Sequence, residues 1–225
     1  MTRVKICGVR RLEDALVASE AGADFIGLVF VPERPRRLAM DEARAIVDGL
    51  RASRAPEDDV PQVVGLFADQ SLDVVNDTIR DCLLDRVQLC GNESLDYCRQ
   101  TEAGVIKVLH VPGGEPEASV IDDLAERVSA YREAGHLVTL DRLVAGIPGG
   151  TGQRFDWAVA QEMSLRGHPF LLAGGLLPEN VAQAVAKVNP WGVDVSSGVE
   201  TDGRKDPDKI RDFVRSARQP PLVEN

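Results

Sequence analysis

Short hydrophobic runs alternate along the chain with longer segments in which hydrophobic residues recur at helical spacing. Runs of this length that are rich in Val, Ile, Leu and Phe are typical of parallel strands buried on both faces of a sheet. About eight occur, at residues 4–7, 25–30, 62–67, 86–89, 105–109, 137–140, 170–173 and 193–195.

The segments between these runs predict amphipathic helices. Hydrophobic residues recur there at i, i+3, i+4 and i+7, which places them on one helical face. Pro178 and Pro207 suit the first turn of the last two predicted helices. Three such faces consist of Ala43, Ile46, Val47 and Leu50; of Val181, Ala184, Val185 and Val188; and of Ile210, Phe213, Val214 and Ala217.

Regular alternation of strand and helix predicts an α/β fold with a parallel sheet and helices outside it. About eight strands in 225 residues fit a single (β/α)8 TIM barrel better than a doubly wound sheet. We therefore expect one barrel domain over residues 1–225, with 219–225 as a frayed tail.

Composition narrows the classes of function. Hydrophobic residues make up 44% of the chain, so it can bury a core, and 26 basic against 36 acidic residues give a net charge of −10. This charge repels phosphate backbones and disfavours nucleic-acid partners, although a local pocket for one small anion stays open. No window approaches 18 uninterrupted apolar residues, so we expect no membrane span.

The four cysteines are Cys7, Cys82, Cys90 and Cys98, and they form no C-x-x-C pair and no zinc spacing. The first residues lack the long apolar centre of a signal peptide. Retained thiols fit a reducing cytoplasm, which is the location that we expect.

Candidate chemistry is sought at the carboxyl ends of the strands, where barrels of this type hold their active sites. The first predicted strand ends in Cys7, and the sixth ends just before Asp141. In a closed barrel of eight, strand 6 lies three steps from strand 1. Cys7 and Asp141 are therefore expected to face each other across the mouth of the barrel.

Glycine-rich clusters follow the strands that lie between these two residues, and they predict a phosphate site. Glycines let backbone N–H groups approach an anion closely, and barrels often bind phosphate at loops 7 and 8. One cluster alone is more typical of a simple turn, but three clusters that follow consecutive strands favour a phosphate-binding site. The clusters contain Gly150, Thr151 and Gly152; Gly174 and Gly175; and Ser196, Ser197 and Gly198.

Cys7 and Asp141 can act as base and acid only if their protonation states are unusual. A free cysteine has a pKa of about 8.5 and a free aspartate about 3.9, whereas a base must lose its proton and an acid must hold one. Burial would raise the pKa of the aspartate, and Lys5, Arg10 or the dipoles of the phosphate loops would lower that of the cysteine. The alternative is a buried packing thiol and an aspartate that caps a turn.

Taken in order, the motifs of this chain resemble those of the phosphoribosylanthranilate isomerase family over essentially the whole length. Each motif is only moderately specific, and the complete ordered set is strong. The set comprises KICG at 5–8, GADFIG at 22–27, Pro35-Arg36, VQL at 87–89, GNE at 91–93, GGTG at 149–152, FDW at 155–157, AGGL at 173–176, PENV at 178–181 and GVDVSSGVE at 192–200.

The resemblance implies an Amadori rearrangement of N-(5'-phosphoribosyl)anthranilate to 1-(o-carboxyphenylamino)-1-deoxyribulose 5-phosphate. Carried over, Asp141 protonates the ring oxygen and Cys7, as a thiolate, removes the proton from C2. Arg36 matches the arginine that meets the anthranilate carboxylate, and Asp194 matches an aspartate near the substrate. As alternatives, Arg36 is an exposed loop residue and Asp194 orients loop 8. No metal or organic cofactor is implied.

Two departures from the family pattern bear on substrate preference. Cys90 stands where the family usually has histidine, and Arg34 stands where a serine usually precedes the Pro-Arg pair. They keep two alternatives open: a related phosphosugar isomerase or lyase on the same barrel, and a phosphate-ligand binder without activity. The sequence also leaves open whether the chain forms a homodimer.

Overall fold

A computed structural model describes residues 1–53, 60–111, 117–142 and 157–219. Strands and helices alternate along the chain as predicted. The barrel strands are β1 Arg3–Cys7, β2 Phe25–Val29, β3 Gln62–Phe67, β4 Arg86–Leu89, β5 Gly104–Val111, β6 Leu137–Arg142, β7 Leu171–Leu172 and β8 Gly192–Val195. The helices are α1 Leu12–Glu20, α2 Met40–Ala52, α3 Leu72–Cys82, α4 Leu95–Arg99, α5 Ala118–Glu133, α6 Trp157–Leu165, α7 Val181–Val188 and α8 Pro207–Arg218.

The eight strands form a closed parallel barrel in the order in which they occur in the chain. The barrel closes where β1 pairs with β8, with Lys5 beside Asp194, and β1 pairs on its other side with β2, with Cys7 beside Gly27. The prediction of a single (β/α)8 TIM barrel is therefore confirmed. All eight carboxyl ends meet at one rim, where the loops from different strands share a mouth.

Side chains along each strand alternate between the interior of the barrel and the layer beneath the helices. Val4 and Ile6 of β1 belong to the large core under the helices. Lys5, which lies between them, and Cys7, which follows Ile6, therefore face the barrel interior. An interior layer deeper in the barrel consists of Phe25, Val64, Ile106 and Leu171.

The helical faces that the spacing predicts are the buried faces of α2, α7 and α8. Pro207 is the first residue of α8, as expected. The placement of Pro178 in a first turn is wrong, because α7 begins only at Val181. The Asn180 side chain accepts a hydrogen bond from the Leu177 N–H at 2.8 Å, which stabilises a turn in place of a helical start.

An antiparallel hairpin, β9 Glu200–Thr201 and β10 Arg204–Lys205, lies between β8 and α8 and was not predicted. Two-residue strands are too short to leave a hydrophobic period in the sequence. The hairpin matters because it returns Lys205 towards the mouth of the barrel, where its ammonium donates to the Ser196 carbonyl at 2.8 Å.

Within the described residues, no helix combines the length and the hydrophobicity that a membrane crossing requires. Cys82 and Cys98 are buried free thiols on α3 and α4. Gln219 follows α8, and the remainder of the predicted tail, 220–225, lies outside the described residues.

Candidate active site

Cys7 is the last residue of β1, and its sulfur packs on the backbone of the neighbouring strand. A Cβ atom at Gly27 would lie only 3.1 Å from Cys7 Sγ, so the absence of a side chain on β2 makes room for the thiol. Val29 and Leu66 complete a small apolar cluster around it, and Cys7 is 7% exposed. This burial raises the pKa of the Cys7 thiol above its ordinary value, and the positive charges of Lys5 and Lys205 oppose the rise.

A buried ion pair lies beside the thiol. Lys5 donates to both carboxylate oxygens of Asp194, at 3.1 and 3.0 Å, and the two residues are register partners on β1 and β8. Lys5 is fully buried and Asp194 is 7% exposed. Burial alone would lower the pKa of Lys5, but Asp194 and Cys7 raise it above its ordinary value, so Lys5 is a cation. The structure thus places Asp194 at the mouth with Lys5 as its partner.

Asp141 lies near the end of β6, beside His110 of β5. Neighbouring side chains on a strand point to opposite faces. Leu140 belongs to the core beneath the helices, so Asp141, the next residue, faces the barrel interior at the rim. It is half-buried and has interactions with other groups. Because β6 is separated from β1 by β7 and β8, Asp141 and Cys7 stand on different sides of the same mouth.

The loops that follow β7 and β8 pack directly against each other. A Cβ atom at Gly198 would lie 1.9 Å from the carbonyl oxygen of Leu176, so only glycine permits this approach. Gly174 and Gly175 have φ values of +94° and +67°, which side chains disfavour. Ser197–Val199 form one 3₁₀ turn.

The two loop clusters predicted for phosphate are therefore adjacent in space. The Ser196 hydroxyl donates to the Cys7 carbonyl at 3.1 Å, which joins the β8 loop to the end of β1. The third predicted cluster, with Gly150, Thr151 and Gly152, lies outside the described residues.

Arg36 extends from the loop after β2 over the end of β1. Its Nε and Nη2 donate to the two carboxylate oxygens of Glu200, both at 2.7 Å, and its aliphatic part passes over Gly8. The interpretation of Arg36 as an exposed loop residue is wrong, because its side chain is 27% exposed and its charge acts on Cys7. Glu200 engages the Nε and Nη2 edge of the guanidinium, and Nη1 has no hydrogen-bond partner among the residues that the structure describes.

Glu200 and Lys205 lie beside Arg36 and Cys7 at the rim, and the sequence patterns assign no role to either of them. Glu200 accepts from Lys205 at 2.8 Å as well as from Arg36. Burial alone would raise the pKa of Glu200, but the hydrogen bonds and charges of Arg36 and Lys205 lower it to about 2. Lys205 comes from the hairpin, so no strand or helix pattern indicated it. Arg10, expected near the cysteine, instead donates to the carbonyls of Pro35 and Gly203 on the surface.

Cys90, the first departure from the family pattern, lies at the rim after β4. The amide of Gln88 approaches its sulfur at 3.6 Å, and a ring nitrogen of His110 lies 3.3 Å from its carbonyl. Burial raises the pKa of Cys90 to about 12, so this thiol stays neutral at physiological pH. Cys90 adjoins the apolar cluster that contains Cys7.

Lys107 is excluded from the barrel interior. Val105 and Leu109, which flank it at two-residue spacing, belong to the core beneath the helices, so Lys107 faces outward. Its ammonium pairs with Glu93 at 2.6 Å and with the Gly91 carbonyl at 2.7 Å. This buried pair fixes the loop after β4.

Comparison with protein families gives one matching model over residues 4–216, described as N-(5'-phosphoribosyl)anthranilate (PRA) isomerase. Curated relatives carry the same name. The chain is 44% identical over 220 residues to the protein of Trichlorobacter lovleyi, covering 97% of this chain and 99% of that one. It is 48% identical over 220 residues to that of a Geobacter species, strain M21, with the same coverage of both.

Solved structures of proteins with this name are also similar to the chain. A crystal structure of phosphoribosyl anthranilate isomerase from Thermotoga maritima is similar with a TM-score of 0.80 and 33% identity, covering 97% of this chain and 99% of that one. Another, of the isomerase in complex with reduced 1-(o-carboxyphenylamino)-1-deoxyribulose 5-phosphate, is similar with a TM-score of 0.78 and 33% identity at the same coverage.

Proposed function

Because the chain belongs to the N-(5'-phosphoribosyl)anthranilate isomerase family, we propose that Cys7 and Asp141 are its catalytic base and acid. The chain is an isomerase of tryptophan biosynthesis, an intramolecular oxidoreductase that converts N-(5'-phosphoribosyl)anthranilate to 1-(o-carboxyphenylamino)-1-deoxyribulose 5-phosphate. The observation that carries the proposal is the placement of both side chains, on β1 and β6, at one rim and facing inward.

The reaction requires one proton donor at the ring oxygen and one proton acceptor at C2, and both of these atoms are bonded to C1 of the sugar. Asp141 protonates the ring oxygen, the C1–O bond breaks, and the nitrogen lone pair forms an iminium ion at C1. The Cys7 thiolate then removes the proton from C2, the C2–H electrons form the C1–C2 double bond, and the π electrons of the iminium bond return to the nitrogen. The enolamine that results tautomerises to the ketone. General acid–base catalysis of this kind contributes about 10²–10⁴-fold per group.

The other predicted residues hold the two ends of the substrate. The loops after β7 and β8, with Gly174, Gly175 and 196–198, bind the phosphate through backbone N–H groups. Arg36, oriented by Glu200, receives the anthranilate carboxylate on its remaining Nη1 edge. Asp194 contacts the substrate from β8 while it holds Lys5.

Two single substitutions test the catalytic pair. Cys7→Ala and Asp141→Asn are each expected to lower kcat by about 10²–10⁴-fold, since each removes one proton-transfer group. Turnover is followed as the loss of fluorescence of enzymatically generated substrate under reducing conditions. Cys82→Ala, a buried thiol on α3, is the matched control and should keep normal turnover. Near-normal kcat in either site variant removes the role assigned to that residue.

We also propose a cytoplasmic location and a homodimer. The described cysteines are all free thiols, which fits a reducing compartment. One similar solved structure is described as monomers generated from a dimeric isomerase of Thermotoga maritima. Light scattering during size-exclusion chromatography measures the mass, and a monomer at micromolar concentration would exclude a stable homodimer.

A further inference from the structure

The thiol of Cys7 lies in an environment that opposes its ionisation. It is buried among apolar groups, and desolvation raises its pKa. As the base of the reaction, however, it must lose its proton before it can accept one from C2. Some charge fixed next to the sulfur must therefore favour the thiolate.

Lys5 is a cation that the fold holds on the same strand as this sulfur. Residues 5 and 7 are on the same face of β1, and Lys5 is fully buried, so its ammonium cannot turn away to solvent. Asp194 holds its ammonium by two hydrogen bonds, and the positive charge of Lys5 acts to lower the pKa of the Cys7 thiol. The strand itself thus holds the charge and the sulfur together, without a loop between them.

Other charged groups face the same sulfur from the elements around it. Lys205 of β10 and Arg36 of the loop after β2 add positive charge, and Asp194 of β8 adds negative charge. Cys90 after β4 is a neutral neighbour, and Asp141 of β6 faces the same mouth. Lys205 and Arg36 are both paired with Glu200, whose carboxylate offsets much of their charge.

We propose that Lys5 is a positioning residue for the reaction: its buried ammonium, held by Asp194, stabilises the thiolate form of Cys7. Asp194 has two opposing effects. It keeps Lys5 charged inside the barrel, and its own negative charge disfavours a second anion at Cys7. When Asp194 is replaced by a neutral group, the thiolate becomes the main anionic partner of the ammonium. The proposal rests on the role of Cys7 as the base.

The test measures the ionisation of Cys7 directly, independently of turnover. Alkylation of Cys7 by iodoacetamide is followed by peptide mass spectrometry between about pH 6 and pH 10, because the thiolate is the reactive form. Lys5→Met is expected to slow alkylation at pH 8 at least tenfold and to move the rise of kcat/KM to higher pH. Asp194→Asn is expected to accelerate alkylation at the same pH.

A matched control separates this effect from the loss of a buried ion pair. Lys107→Met breaks the comparable pair with Glu93 on the outer face of β5, and alkylation of Cys7 should stay within twofold of the unaltered protein. Circular dichroism confirms that each variant is folded at the assay temperature. If Lys5→Met does not fold, Lys5→Gln takes its place and Asp194→Asn still gives a result.

Opposite effects of the Lys5 and Asp194 substitutions support the proposal. Alkylation within twofold of normal in a folded Lys5 variant would overturn it, as would alkylation that is slowed or unchanged in Asp194→Asn. These outcomes are distinct from failure of the proposed function. If Cys7→Ala retained turnover, Cys7 would not be the base, whereas the alkylation comparison would still report whether Lys5 controls its ionisation.

Discussion

The close contact between the loops after β7 and β8 gives a prediction whose size follows from one distance. In Gly198→Ala, the new Cβ atom would lie 1.9 Å from the Leu176 carbonyl oxygen. Ordinary van der Waals contact needs about 3.5 Å, so the two loop backbones must separate by roughly 1.6 Å. Forced insertion of a methyl group into a packed site costs about 1–3 kcal/mol of stability.

This separation of the loops should affect phosphate binding more than the proton-transfer steps. A displacement of about 1 Å in a binding element can cost about 10²-fold, so we expect KM to rise by about 10–100-fold with a smaller change in kcat. Inorganic phosphate as a competitive inhibitor should lose affinity in parallel. Steady-state kinetics and phosphate inhibition, measured together, provide the assay.

Gly135→Ala is the control for this substitution. Gly135 has a φ of +84°, but no atom of the described residues lies within 4 Å of the added Cβ, and Gly135 is in the turn before β6, at the opposite end of the barrel from the site. It should cost about 1–2 kcal/mol of stability through backbone strain and leave KM unchanged. A KM within twofold of normal in Gly198→Ala would refute the assignment of these loops to the phosphate.

Three further predictions concern charged groups. Arg36→Met should weaken binding of a stable reduced product analogue by about tenfold or more, because it removes the partner of the carboxylate. Binding of an analogue that lacks the carboxylate should be unchanged, and titration calorimetry measures both affinities. Glu200→Gln should lower the free energy of unfolding by roughly 2–3 kcal/mol above pH 5, because the pKa of Glu200 falls from its ordinary 4.5 to about 2. The difference between the two proteins in urea unfolding should shrink as pH falls from about 5 towards 2; a constant difference would contradict the pairing. Lys107→Met should lower the free energy of unfolding by about 3–5 kcal/mol, because it leaves the buried charge of Glu93 without its partner. A loss of kcat at a temperature where this variant is folded would show that the pair also serves the site.

The barrel could be predicted because its signals are local. Each strand is a short hydrophobic run between turn residues, and the buried faces of α2, α7 and α8 follow from helical spacing alone. Pro178 shows the limit of this reasoning. Proline is compatible with a first helical turn, but the side chain of Asn180 stabilises a turn first and α7 begins later.

The candidate active site at the rim could be predicted only in outline. Cys7 at the end of a strand carries a local signal, and strand order brings it to the same mouth as Asp141. The pairs around them are non-local: Arg36 meets Glu200 across 164 positions, and Lys5 meets Asp194 across 189. Such partners are set by barrel closure, which spacing along the chain does not show.

Lys107 illustrates the same limit within one strand. The sequence places it in a predicted strand. Whether its side chain faces the barrel interior or the helices depends on which way the neighbouring side chains of that strand point. That phase is fixed by the packing of Val105 and Leu109 beneath the helices.

The assignment of two separate proton transfers to two residues is tested most directly by an isotope effect on turnover. Substrate carrying deuterium at C2 should react with a large primary isotope effect in Cys7→Ser, because removal of that proton then limits the rate. In Asp141→Asn, ring opening should limit the rate and the isotope effect should be close to one. The reverse pattern, or the same isotope effect in both variants, would contradict the division of roles between the thiol and the carboxyl group.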